Sequence, residues 1–208
     1  MKRSVAEQDE SELGGDWSLL VRQKRDHELL AALLERVSPT PGPDQDDVLR
    51  EVCRMVFPHA FADESVLWPV VRKQLPYGET LVQQMDEERR EVNELVGCLQ
   101  DEALEPDQRP RLVGRLMELL RDAIRYEEDV LFPLLQEQVE EGRLRQLGFA
   151  WELVRRAAPT RPHPVLVRSR VGNCLVLLPL TILDRSRDRW ENSRAVADPD
   201  DVSLRLAS

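Results

Sequence analysis

Thirty-nine acidic against 29 basic side chains in 208 residues leave a net charge of −10, which speaks against nucleic acid or an anionic membrane as a general partner. Hydrophobic residues make up 41% and charged residues 33%, with nine glycines and few aromatics, a balance that fits a helical, surface-charged protein with a sizeable core. Cys53, Cys98 and Cys174 lack any CxxC pairing, the polar start shows no leader pattern, and the longest apolar run, Val171 to Leu183, is short for a bilayer and holds Asn173 and Pro179; a cytoplasmic protein is expected.

Residues 1–16 are polar, carry Gly14-Gly15 and are expected to stay loose. Trp17 to Val37 is the first predicted helix, with Asp16 as its N-cap and an apolar seam through Leu20, His27 and Leu34. Ser38-Pro-Thr-Pro-Gly-Pro-Asp44 breaks it. The second predicted helix runs from Gln45 to Gln74, with Val52, Val56, Val66 and Val70 recurring at steps of four and three. Pro58 and Pro69 each remove a backbone donor and are expected to kink or divide it. After the turn Leu75-Pro-Tyr-Gly78, a third helix from Glu79 to Glu102 places Leu81, Met85, Val92, Leu95 and Leu99 on one face. A fourth, from Arg111 to Glu140, has the seam Leu116, Leu120, Ala123, Glu127, Val130 and Leu134.

Four long helices with short connections predict an all-α, up-down antiparallel four-helix bundle over residues 17–141. A helical C-terminal extension is expected over 142–194. It comprises a helix from Leu144 to Ala158 packed outside the bundle, a Pro- and Arg-rich connector holding His163, and a short helix from Leu175 to Arg194; 195–208 reads as a flexible tail.

Every one of the four seams is interrupted by a polar group near mid-helix: His27, then His59 with Asp63, then Glu88 beside Arg89, then Glu127. His59 and Asp63 stand at i and i+4, so they project side by side from one face. Inward imidazoles and carboxylates on facing helices are how bundles build metal sites, and nitrogen with carboxylate oxygen suits iron, manganese or zinc. The plainer alternative is a set of satisfied core histidines and ion pairs.

His59-Ala-Phe-Ala-Asp-Glu-Ser-Val-Leu-Trp-Pro69 and Tyr126-Glu-Glu-Asp-Val-Leu-Phe-Pro133 resemble the doubled motif of the hemerythrin-like, or HHE cation-binding, domains: His-x-x-x-Glu-Glu, an apolar triplet and Pro. Asp26-His27-Glu-Leu-Leu30 is similar to the family's first-helix histidine segment, and Met85 to Val92 to its third-helix Glu-His segment. The resemblance implies a four-helix bundle around a non-haem di-iron centre that binds or senses oxygen, or handles nitric oxide or peroxide. It assigns His27 and His59 as histidine ligands, Asp63 to the place of a bridging Glu, and Glu127 as the other carboxylate. Two departures stand out: Ala123 occupies a position where His is expected, and so does Arg89.

Three carboxylates in one buried layer need compensation. Two arrangements supply it. One is a reduced, carboxylate-rich cation site using His27, His59, Asp63 and Glu127, with Glu88 as a further member. The other is a metal-free core in which Arg89 acts as the cation and forks between Asp63 and Glu127. The expected function is that of a binding, sensing or interaction module with a reduced or lost di-iron site, with oxygen or another diatomic as its small ligand. The alternative is a di-iron redox protein, against which the lost imidazoles weigh.

Overall fold

The computed structural model describes residues 2–158 apart from Thr40 and Glu102. The regular structure among these residues is helical, with no strand: α1 (Leu19–Arg36), α2 (Pro43–Ala62), α3 (Trp68–Gln74), α4 (Gly78–Leu99), α5 (Arg109–Tyr126), α6 (Phe132–Gln138) and α7 (Glu141–Ala157). No helix among the described residues is long and apolar enough to cross a membrane. The expected connector with His163, the helix from Leu175 to Arg194 and the tail from 195 lie outside the described residues.

Pro58 lies inside α2 without ending it, whereas Pro69 and Pro133 each follow a widened turn. Asp63–Leu67 joins α2 to α3, and Glu127–Leu131 joins α5 to α6, each as a single turn of π-helix. The Trp68 amide bonds back to the Asp63 carbonyl and the Phe132 amide to the Glu127 carbonyl, five residues earlier in both cases. A proline ring presses on the carbonyl four residues back and leaves it without a donor, and the extra residue in the turn relieves that conflict.

The widened turns correct the predicted seams. An added residue rotates everything after it by about 100° relative to an unbroken α-helix. The expected seam residues Val66, Val70, Val130 and Leu134 are therefore only partly buried, while Leu67, Val71, Leu131 and Leu135 are fully buried. The seam slips by one residue at each carboxylate motif. Its inward set before the turn ends on Asp63 and Glu127, and its inward set after the turn begins on Glu64 and Glu128.

Helix α1 starts after Ser18, two residues later than predicted, and Asp16 does not cap it. Its carboxylate pairs instead with Arg25 at 2.6 Å. Residues 2–16, expected to be loose, are packed: Val5 and Leu13 join the core, and Lys24 Nζ donates to the carbonyls of Ala6 and Gln8 at 3.0 and 2.6 Å. Two apolar side chains and a basic anchor on α1 outweigh the polar composition that suggested disorder.

Helix α7 packs on both α1 and α2 and sends Trp151 into the core with no exposed surface. Burying a side chain of that size is worth on the order of 2–3 kcal/mol, so α7 is a structural part of the molecule. The core divides into two clusters. One holds Leu20, Leu67, Trp68, Phe132 and Trp151; the other holds Leu30, Leu34, Val52, Val92 and Leu120. Residues of both clusters line a single cavity of about 110 Å³, and the polar layer lies there.

Candidate metal centre

His27 is 3% exposed on the buried face of α1, one turn beyond Gln23, one turn before Leu30 and two before Leu34. Its Nε2 lies 3.0 Å from Glu127 Oε2 and its Nδ1 3.0 Å from Glu128 Oε1. Neighbours on a regular helix diverge by about 100°. The π turn starting at Glu127 lets both carboxylates reach one imidazole.

His59 follows Pro58 on α2. Its Nε2 lies 3.0 Å from Asp63 Oδ2 and its Nδ1 3.3 Å from Asp26 Oδ2. The other oxygen of Asp63, Oδ1, accepts from Gln23 Nε2 at 2.5 Å and from Trp151 Nε1 at 2.7 Å. The two imidazole centroids are 5.4 Å apart; Phe132 stacks on His27 at 5.8 Å, and Trp151 meets His59 edge-on at 5.3 Å.

Both nitrogens of both rings face carboxylate oxygens, an arrangement that an imidazolium satisfies with two donors. For His27, burial is the largest single influence and opposes the charged form, but the hydrogen bonds to Glu127 and Glu128 outweigh it and raise the pKa. For His59, burial again opposes the charge. The charge of Asp63 and the hydrogen bonds to Asp26 and Asp63 hold its pKa well above the usual histidine value. Each imidazole is thus tied into the layer by hydrogen bonds to carboxylates on both of its nitrogens.

The same groups form a cation-competent cluster. One ligand atom each from His27, His59 and Glu127 lies within 4.8 Å of the others, and Asp63 borders this group through its contact with His59. Two imidazole nitrogens and carboxylate oxygens fit one divalent ion of the borderline class. Ala123 and Arg89 line the same cavity, at the positions where the resemblance expects imidazoles.

Arg89 does not make the predicted fork between Asp63 and Glu127. Its Nη1 donates to Glu64 Oε2 at 2.5 Å and its Nη2 to Asp86 Oδ1 at 3.2 Å, with the guanidinium 5.2 Å over the Trp68 ring. The reason is local. Asp63 and Glu127 already hold imidazoles, and the π turn presents Glu64 as a free inward carboxylate. Burial pushes the Glu64 pKa up, with the Arg89 charge opposing it. Glu88 lines the cavity, yet its carboxylate accepts from Gln84 at 3.0 Å on the exposed side of α4.

Sequence reasoning left four residues of the layer unassigned: Gln23, Asp26, Glu128 and Trp151. Gln23 carried a signal, since it precedes His27 by one turn on the same seam. Asp26 stands beside His27 in the motif segment. Glu128 turns inward only through the π turn, and Trp151 reaches Asp63 only by tertiary packing.

Comparison with known proteins agrees with this geometry. A family model for the Hemerythrin HHE cation binding domain matches residues 18–135, more than half of the chain. No curated protein and no solved structure gave a match. With the doubled motif folded into two equivalent π turns, and its carboxylates gathered in one layer with His59 and the first-helix His27, the chain belongs to the hemerythrin HHE cation-binding domain family.

Proposed function

We propose that this chain is an up-down four-helix hemerythrin-like bundle whose site holds one divalent cation, through His27, His59, Glu127 and Asp63, and serves as a cytoplasmic binding or sensing module. The observation that carries this reading is the convergence of His27, His59 and Glu127 ligand atoms within 4.8 Å while Arg89 is engaged elsewhere, by Glu64 and Asp86. A guanidinium paired with two other carboxylates does not take the cation's role. The free thiols Cys53 and Cys98 suit a reducing compartment.

Within the site, Glu128 orients the His27 ring from its Nδ1 side, and Asp26 does the same for His59. Carboxylates placed behind ligating imidazoles fix ring orientation and raise ligand basicity. A bound ion of the kind the family holds, usually iron, would supply positive charge and an open position for a small ligand such as oxygen. Leu30, Val56 and Leu120 form apolar parts of the cavity wall beside these ligands.

Metal analysis of protein purified after growth with iron and manganese tests the reading. About one ion per chain is expected for the wild type and little for His27→Ala or Glu127→Ala. Two irons per chain with an oxo-bridge absorption band would replace it with the di-iron redox reading. No retained metal, and no uptake on addition, would leave a bundle with a lost site.

A further inference from the structure

We propose that Trp151, on a helix beyond the family match, is a positioning residue of the cation site. With Gln23 it restricts Asp63 to ligation through one oxygen, so that this carboxylate serves a single ion and does not bridge two. The inference rests on the single-cation reading above.

A carboxylate that bridges two ions through both of its oxygens needs a lone pair open on each. Here Asp63 Oδ1 accepts from the indole of Trp151 at 2.7 Å and the amide of Gln23 at 2.5 Å, leaving Oδ2 alone on the imidazole side, 3.0 Å from His59 Nε2. Both donors are fully buried, so water cannot replace them cheaply. Gln23 must present its NH2 group, because a carboxylate only accepts. Trp151 is fixed by its helix: a Cβ at Gly148 would lie 2.1 Å from the Trp17 carbonyl oxygen, and Arg22 pairs with Glu152 at 3.2 Å. One turn further on, Arg155 reaches Asp26 at 3.6 Å, the carboxylate on the other nitrogen of His59. The face of α7 that meets α1 and α2 thus braces both groups that hold His59.

The test is titration of the full chain with Mn(II) alone, following free Mn(II) by electron paramagnetic resonance. For the wild type, one site per chain is expected. Trp151→Phe keeps an aromatic side chain, though a smaller one, and loses the N–H; it should retain the helical circular dichroism and weaken Mn(II) binding by 10-fold or more, with half-saturation moved to higher pH. A purely structural role would lower the melting temperature and leave affinity and pH midpoint in place. Binding within twofold of the wild type overturns the inference and leaves the cation reading intact. A wild type that takes up no Mn(II), Zn(II) or Fe(II) overturns both. Should Trp151→Phe fail to fold, the indole N–H resonance of the wild type decides. It is expected far downfield and shifted by Zn(II), and an indole resonance indifferent to Zn(II) overturns the inference.

Discussion

His27 and His59 face one another across the layer with ring centroids 5.4 Å apart, and every one of their four nitrogens lies against a carboxylate. Two imidazoles ringed by four carboxylates can be charge-balanced by protons or, on the single-cation reading, by a metal ion, and the exchange between the two is what that reading predicts.

A cation entering the site must displace protons from imidazoles whose pKa values are raised. Affinity for Zn(II) or Mn(II) is therefore expected to climb from pH 6 to pH 8, with roughly one to two protons released per ion. Calorimetric titration in two buffers of different ionisation enthalpy reads that number directly. In the cation-free protein the sign for stability is the reverse. A raised histidine pKa stabilises fully below the unfolded value of about 6.5 and loses this contribution as the pH rises through the folded value. Melting of the cation-free protein should fall between pH 6 and pH 9, and saturating cation should remove the decline.

Ala123 and Arg89 share the cavity with His27, His59 and Glu127. Replacing both by His adds two imidazoles and removes a guanidinium. The combined Ala123→His, Arg89→His variant should raise iron uptake from about one to about two ions per chain, measured by elemental analysis after anaerobic loading. Uptake unchanged at one would place these positions out of reach of a second ion.

Glu152 ties α7 to the rest of the molecule through Arg22 at 3.2 Å and is flanked by Arg155 and Arg156. Burial is the largest single influence on its pKa and pushes it up, but the hydrogen bonds from Arg155 and Arg156 outweigh it and leave the value lowered. A lowered carboxylate pKa stabilises above the unfolded value, about 4.3, and the contribution is lost as the pH falls through the folded value. Glu152→Gln should lower the melting temperature at pH 7 by about 2–4 °C, for a loss of about 1 kcal/mol, and the gap should narrow towards pH 3.

Gly148 allows α7 to lie backbone against backbone on the start of α1, where a Cβ would meet Trp17 O at 2.1 Å and Leu19 N at 2.6 Å. Gly148→Ala should destabilise by about 1–3 kcal/mol in thermal melts, despite the better helix propensity of alanine. Gly114→Ala, on α5 with nothing within 4 Å of the new methyl, should stabilise by up to about 1 kcal/mol. Equal effects at the two positions would mean that the contact between α7 and α1 is looser than described.

Much of the fold was legible because helical periodicity is local. The seams through Leu20, His27 and Leu34 and through Leu116 and Leu120 are buried as their spacing implies. The shift to Leu67, Val71, Leu131 and Leu135 was not read, although Pro69 and Pro133 mark the places where the helices must widen. Periodicity assumes a constant rotation per residue, and two π turns break that assumption. Val5 and Leu13 were missed for a different reason: a short polar segment has no period of its own, and only its docking on α1 buries them.

The sequence by itself determined the helical segments, the family, the placing of His59 and Asp63 one turn apart on one helix, and His27 and Glu127 as polar interruptions of their own seams, since each is a matter of residue type and spacing along one chain segment. Only the tertiary structure decided which carboxylate each remaining donor would take. Arg89 goes to Glu64 and Asp86, and Asp63 is claimed by Gln23 and Trp151. Those choices depend on which groups from distant segments arrive at the same depth, and in a buried layer each oxygen goes to the donors that packing brings within about 3 Å.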